Sequence, residues 1–360
     1  MKCIILAGGL GTRLRPITHS GPKQLIPIAN KPMIHYPIED LVSSGVKEIV
    51  IVVGYTPERI NAVKEACGDG KRWGAKITYV EQDAPRGIAH GVWVCKDFVG
   101  DEPFVVYLGD NLLQGGCQHI IEEFRESDAD CSILLSKVKN PAQFGVAMVD
   151  EKGRVTDVEE KPKTPKTDNV IVGVYLFTSV FFEVYKGLKP SWRGELEITD
   201  AIRKLVLSKQ RKVISNFVRG WWKDTGKSED ILDANQLVLQ TLPRLIEGNV
   251  HEDSKIVGNV QVAKGAVVNS GSFIRGPAII GKGAIIGPNV YIGPSTSVGE
   301  GCRLTNCHIE ASIIMEGCVI STEKHIIDSL IGKNVKILSS KGDLPEGQRY
   351  LVGENCEIRT

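Results

Sequence analysis

The sequence predicts an α/β domain on a mainly parallel sheet, followed by a parallel β-helix. Two observations carry that expectation. Short β-branched runs alternate with helical stretches as far as residue 230 or so, and from residue 256 an aliphatic side chain recurs at every sixth position. Residues 3–7, 48–54, 76–80 and 104–108 read as buried strands, and 32–44, 58–66 and 87–96 between them read as helices. Such alternation argues for βαβ units with both faces of the sheet covered. Ligands in these sheets sit beyond the carboxyl ends of the strands, so the chemistry is expected in the loops that follow them.

Residues 228 to about 245 carry Ile231, Leu232, Leu237, Val238 and Leu245 among polar neighbours and read as a connecting helix. Beyond it, Ile256, Val262, Val268, Ile274, Ile280, Ile286, Ile292, Val298 and Leu304 stand six residues apart. Chance would give such a run on the order of once in a hundred thousand sequences. The frame slips after Leu304 and resumes with Ile314, Ile320 and Ile326, then Ile331 and Ile337. A six-residue period means one short strand and one turn per face of a triangular coil, with the aliphatic pointing inward. The division expected is a first domain over 1–230, a connecting helix over 231–247, the repeat domain over 248–340 and a capping tail over 341–360.

Length and composition agree with two globular domains. The chain has 360 residues, 42% hydrophobic and 24% charged, and a formal charge of +1 from 44 basic and 43 acidic residues. No global field draws it to nucleic acid or to a membrane, so any phosphate binding must be local. Residues 4–7 are too short an apolar run for a leader or a membrane span. Nine cysteines without a CxxC pair read as reduced, buried thiols of a cytoplasmic protein.

The first strand runs into Leu6-Ala7-Gly8-Gly9-Leu10-Gly11-Thr12-Arg13-Leu14-Arg15-Pro16. Three glycines in four positions let backbone N–H groups approach an anion, and Arg13 and Arg15 add fixed positive charge. The turn is not a dinucleotide fingerprint, because Leu14 stands where the last glycine belongs. It is not a Walker loop either, because no Gly-Lys-Ser/Thr follows. Pro22-Lys23-Gln24-Leu25-Ile26-Pro27 then sets a lysine in a proline-bracketed loop.

In this arrangement the sequence resembles the sugar nucleotidyltransferases, most closely those that act as glucose-1-phosphate thymidylyltransferases in a long form with a hexapeptide-repeat domain. The resemblance continues in order through Gln82-x-x-x-x-Gly87, Leu108-Gly109-Asp110-Asn111, Phe144-Gly145-Val146, Glu159-Glu160-Lys161-Pro162, Gly194 to Asp200 and Trp222-Lys223-Asp224-Thr225-Gly226. It implies a Rossmann-like catalytic domain and a left-handed β-helix, against the usual handedness of parallel connections. The reaction implied joins a hexose 1-phosphate to a nucleotidyl group from dTTP, or from UTP, and releases pyrophosphate.

The resemblance also implies roles. Arg13, Lys23 and Lys161 are the catalytic cations. Leu6, Gly8, Gly9, Gly11, Thr12, Arg13, Gln82, Gly87 and Asp110 form the nucleotide site. Gly109, Gly145, Glu160, Lys161, Val172 and Glu195 surround the sugar, and Asp110 with Asp224 holds Mg²⁺. One departure is the charged stretch Asp83-Ala84-Pro85-Arg86, where members often carry serine-rich sequence; it bears on preference between thymine and uracil. For the solenoid, contact between copies in a homo-oligomer is expected over acyl transfer, for which His251, His308 and His325 are the isolated candidates. Two other readings remain: a uridylyltransferase acting on glucose or N-acetylglucosamine 1-phosphate, and a non-catalytic regulatory subunit.

Overall fold

A computed structural model describes residues 1–208, 210–339 and 356–358. The chain divides into two compact units. The first comprises Met1–Gly11, Gly21–Leu25 and Met33–Asp224; the second comprises Thr12–Ser20, Ile26–Pro32 and Thr225–Thr360. Two N-terminal segments therefore cluster with the C-terminal half, which a division at single points along the chain does not anticipate.

The first unit is built on a nine-stranded sheet. Strands β1 (Lys2–Leu6), β2 (Glu48–Gly54), β3 (Lys76–Gln82) and β4 (Phe104–Leu108) lie parallel in the order β3-β2-β1-β4. Leu6 pairs with both Val52 and Leu108, so the carboxyl ends of three strands open at one level. β5 (Asn111–Leu113) stands outside this sheet. Beyond β4, strands β6 (Cys131–Lys137), β7 (Gly145–Val149), β8 (Val155–Glu160), β9 (Asn169–Phe177) and β10 (Val213–Phe217) complete it. There β9 runs antiparallel to β4, β6 and β7, and β8 antiparallel to β7. The parallel half matches the sequence pattern. The antiparallel half follows from its connections: the turn after Val149 is too short for the crossover that a parallel pair requires.

Helices α1 (His35–Ser43), α2 (Pro57–Cys67) and α4 (Gln118–Glu126) cover one face, burying Ile38, Leu41, Val63 and Ile120 against Ile5, Ile51 and Val105. Helices α3 (Ile88–Trp93) and α5 (Ile198–Leu207) cover the other, with Val92, Ile202 and Leu205 against Ile4, Val50 and Val106. Alternate residues of each strand thus feed two separate cores. Helix α1 starts later than the pattern suggests because Lys31–Pro32 is taken up in a hairpin with Pro27–Ile28. The expected helix over 87–96 ends at Trp93, and a separate turn, Lys96–Val99, follows.

In the second unit, α6 (Ser228–Thr241) begins where the Asp230 carboxylate accepts the Lys227 N–H, and Leu242 is already extended. The connecting helix expected over 231–247 is therefore shorter at its end. Pro243 excludes the helical conformation from the residue before it. Leu245–Ile246 instead forms the first solenoid strand, pairing with Gln261 and Val262.

The solenoid has three parallel sheets of six, six and five strands, consistent with the left-handed coil that the resemblance implies. Val262, Ile280, Val298, Ile314 and Ile331 fill one interior file. Val268, Ile286, Leu304, Ile320 and Ile337 fill a second, and Ile274, Ile292, Ile309 and Ile326 a third. Ile309 occupies the place that six-residue stepping misses. The coil shortens from eighteen residues between Val262 and Ile280 to sixteen between Val298 and Ile314. Segment 26–32 is tied into this unit through the fully buried Asn235. Its Oδ1 accepts from the Ala29 N–H at 2.8 Å and the Ser297 hydroxyl at 2.7 Å, and its Nδ2 donates to the Ser295 carbonyl at 3.1 Å. Asn30 Nδ2 donates to the Val298 carbonyl at 2.7 Å.

The tail expected to cap the solenoid lies outside the described residues, apart from 356–358. Among the described residues no helix is long and apolar enough to cross a membrane. All nine cysteines are free; eight are buried and Cys356 is exposed.

Candidate active site

The loops after β1, β3 and β4 converge with residues 21–25. The Gly109 N–H donates to the Leu6 carbonyl at 2.9 Å. A Cβ placed on Gly8 would lie 3.3 Å from Gln82 Oε1, and one on Gly9 would lie 3.8 Å from Lys23 Cε. Leu6, Gly8, Gly9, Gln82, Gly109 and Lys23 are thus brought together as the motifs imply. Gly11 ends the first unit's share of the turn at φ 64°. Thr12 and Arg13 open a short helix, Thr12–Leu14, in the second unit, and both are exposed.

Lys23 Nζ is paired with Asp110 Oδ2. Asp110 Oδ1 accepts from Asn111 Nδ2 at 3.1 Å. Burial pulls the Asp110 carboxyl upward, but the Lys23 ammonium and the Asn111 amide outweigh it and hold the group below its ordinary value. Asn111 opens β5, which pairs antiparallel with β11 (Trp222–Asp224), and Asn111 stands directly opposite Asp224. Asp110 and Asp224 are therefore neighbours across a two-stranded ribbon. Asn111 holds that ribbon in place, since its Oδ1 accepts from Trp222 Nε1 at 2.6 Å and from the Gly173 N–H at 3.2 Å. The Tyr175 phenol is pushed up by burial and then by the carboxylates of Glu160, Asp224 and Asp110, which all bear on it.

The carboxylates of Asp110 and Asp224 are hard oxygen donors. Among the described residues no cluster of three metal-ligating side chains encloses an ion. That donor set fits a hard divalent ion whose other ligands come from substrate phosphates and water.

The residues expected around the sugar meet at the β7–β8 end. Gly145 pairs with Glu160. Its missing side chain is required, because a Cβ there would lie 2.7 Å from Thr199 Cγ2. Glu160 accepts from Thr199 Oγ1 at 3.1 Å and lies 3.7 Å from Lys161 Nζ. Lys161 holds a φ of 45°, unusual for a non-glycine residue. Val172 is fully buried among Val105, Leu134 and Val174, so its side chain belongs to the core and only its backbone can face a ligand.

Three residues were missed by the sequence reading. Arg193 joins Glu160 at 3.5 Å, Glu195 at 2.9 Å and Glu197 at 3.4 Å. Its place one residue before Gly194-Glu195-Leu196-Glu197 was the available signal. Gln24, beside Lys23, is buried with an unpartnered Oε1, and its Cγ lies 3.4 Å from a Cβ built on Gly109. Asn111 is the third; nothing in its own sequence neighbourhood shows that it serves three partners.

At the end of β3, Gln82 is buried, and Gly87 has φ 99°, where a Cβ would meet the Leu196 carbonyl at 2.5 Å. Asp83 and Arg86 pair with each other at 2.7 Å on the surface.

A nucleotidyl transferase profile matches residues 2–241, two-thirds of the chain, and a GMPPB C-terminal domain profile matches 272–359. The chain belongs to the nucleotidyl transferase family. The transferase is 47% identical to a low-salt glycan biosynthesis nucleotidyltransferase, Agl11, of Haloferax volcanii, across 100% of both chains. It is 43% identical to a glucose-1-phosphate thymidylyltransferase of Streptomyces griseus over 100% of its own length and 99% of that protein's. A Bacillus anthracis chain, solved with a sucrose as a candidate glucose-1-phosphate thymidylyltransferase, is 40% identical. It superimposes with a TM-score of 0.61 over 66% of this chain and 94% of its own. Nucleotidyl transferases of this family generally use a divalent metal ion.

Proposed function

We propose that the protein joins glucose 1-phosphate to the thymidylyl group of dTTP and releases pyrophosphate. The observation that carries this is the Lys23–Asp110 pair set beside Asp224 at the mouth of the glycine turn. In the reaction, an oxygen of the sugar phosphate attacks the α-phosphorus. The bond from that phosphorus to the α–β bridging oxygen breaks, and pyrophosphate leaves with the electron pair. Both reactants are anions, so the protein's task is to neutralise repulsion and hold the line of attack.

Backbone N–H groups of Gly8, Gly9 and Gly11 cradle the nucleotide phosphates, with Thr12 at their edge. Arg13 grips the departing pyrophosphate. Lys23 moves between Asp110 and the reacting phosphate. Asp110 and Asp224 would hold a magnesium ion, which would supply charge neutralisation to the phosphates. Lys161 holds the phosphate of the sugar, Glu160 and Glu195 accept from its hydroxyls, and Gly109 and Gly145 leave it room. Gln82 and Gly87 receive the base. Gln24 Oε1, unpartnered at the same mouth, is suited to accept from a ligand hydroxyl.

The buried, free thiols support a cytoplasmic setting. Exposed Val257, Phe273 and Ile327 on the solenoid support contact between copies in a homo-oligomer. A matrix of nucleoside triphosphates against hexose 1-phosphates, read as pyrophosphate release, tests the reaction. Turnover is expected to be fastest with dTTP and glucose 1-phosphate and to vanish with Asp110→Ala. A strong preference for UTP or for N-acetylglucosamine 1-phosphate would replace the substrates, and no turnover with any pair would sink the reading. Chelation with EDTA should abolish activity, and Mg²⁺ should restore it.

A further inference from the structure

Gln82 is buried at the end of β3, and its amide is held from three sides. Nε2 donates to the Gly87 carbonyl at 3.4 Å and lies 3.1 Å from His90 Nδ1. Oε1 accepts from the Tyr55 hydroxyl at 3.5 Å and faces the glycine turn, 3.3 Å from a Cβ built on Gly8. A carbonyl can only accept, so Gly87 fixes which end of the amide faces it. The second amide hydrogen then points at His90 Nδ1, which must be the unprotonated nitrogen. Its Nε2, 3.8 Å from Asp83 Oδ1, carries the proton. Both N–H bonds of Gln82 are committed, and only its oxygen is left to face a ligand.

We propose that His90 is a positioning residue that locks Gln82 as a pure hydrogen-bond acceptor, so that the site selects bases presenting a ring N–H. This rests on the reading that Gln82 meets the base. Thymine and uracil offer N3–H to such an oxygen. Cytosine offers a lone pair at N3 and is repelled. The lock does not separate thymine from uracil, which differ only in a methyl group.

The same geometry carries a pH dependence. A protonated His90 would present Nδ1–H to the amide, and Gln82 would turn its oxygen toward the imidazolium and its NH₂ toward the base. Discrimination against cytosine would then weaken. The charged and titratable groups facing this cluster are Asp83 and Arg86 on the loop before α3, Tyr55 after β2, and Glu195, which bears on Tyr55. Burial lowers the His90 pKa from its ordinary value; Asp83 opposes that and Arg86 adds to it, so the imidazole is neutral at pH 7.

The test compares kcat/KM for dTTP and dCTP, both with glucose 1-phosphate and Mg²⁺, between pH 5 and 9. In the parent enzyme the ratio should be flat above pH 7, and any fall should come only below the ordinary histidine value of about 6.5, because burial lowers that of His90. His90→Leu should lower the ratio by about tenfold or more at pH 8, with the loss in KM for dTTP exceeding that in kcat. His90→Asn, whose amide oxygen can stand in for Nδ1, should restore the ratio and abolish its pH dependence. A thermal melt checks that each variant folds. If Gln82→Ala leaves the ratio intact, Gln82 does not read the base and the lock falls with it. If Gln82→Ala collapses the ratio while His90→Leu keeps it, His90 has no such role.

Discussion

Lys23 and Asp110 neutralise each other, and this makes either side chain costly to lose. Lys23→Met takes the Lys23 ammonium from Asp110 and, if the proposed reaction holds, from the reacting phosphates; kcat/KM should fall by about a hundredfold or more in a pyrophosphate-release assay. Arg193 is a different kind of residue, one cation that reaches Glu160, Glu195 and the buried Glu197. Arg193→Met should raise KM for the sugar phosphate and cost about 1–3 kcal/mol of stability, seen as a lower Tm. Lys23 and Asp110 were legible because each sits in a short ordered motif. Arg193, Gln24 and Asn111 were not, since their importance lies in partners brought from other strands. The thiols are legible in one respect only: burial pushes Cys67, Cys95 and Cys117 up to about 12. A thiol reagent should therefore modify Cys356 quickly in the native protein, and Cys67, Cys95 and Cys117 only after denaturation.

At the level of elements, the ribbon of β5 and β11 decides whether two carboxylates far apart in sequence, Asp110 and Asp224, can act together. Asn111 fastens that ribbon to Gly173 and Trp222. Asn111→Ala strands the Gly173 N–H in the core, at a cost of about 1–3 kcal/mol. It should also lower kcat, because Asp110 and Asp224 lose their common support; a variant with unchanged kcat would show that the ribbon holds without it. The parallel strands β1 to β4 could be read from β-branched runs, and the hexapeptide files from their period. The strands β6 to β10 of the mixed half could not, since short mixed runs such as Gly145–Val149 do not declare their partners. The frame slip hid Ile309 for a related reason: a fixed period cannot follow a coil that sheds two residues at its corners.

Across the whole molecule, stability in the solenoid is a sum over stacked rungs, each touching only its neighbours. Ile286, fully buried in the middle of its file, is where a shortened side chain should be felt on both sides. Ile286→Ala should cost about 2–5 kcal/mol, measured by denaturant unfolding of the second unit. The domain order was legible from composition and period, but the assignment of 12–20 and 26–32 was not, because those segments carry no repeat of their own.

The bond from Asn30 to Val298 spans 268 positions of the chain. Loop 21–25, which carries Lys23, is flanked on both sides by segments that belong to the later half. A growing chain can pair β1 with β2 while it is still being made, yet the Ala29 N–H must wait for Asn235 and the Asn30 amide for Val298. Long-range closure of this kind is slow. The lysine at the reacting centre is therefore among the first residues to leave the ribosome and, by this tether, among the last to be fixed in position.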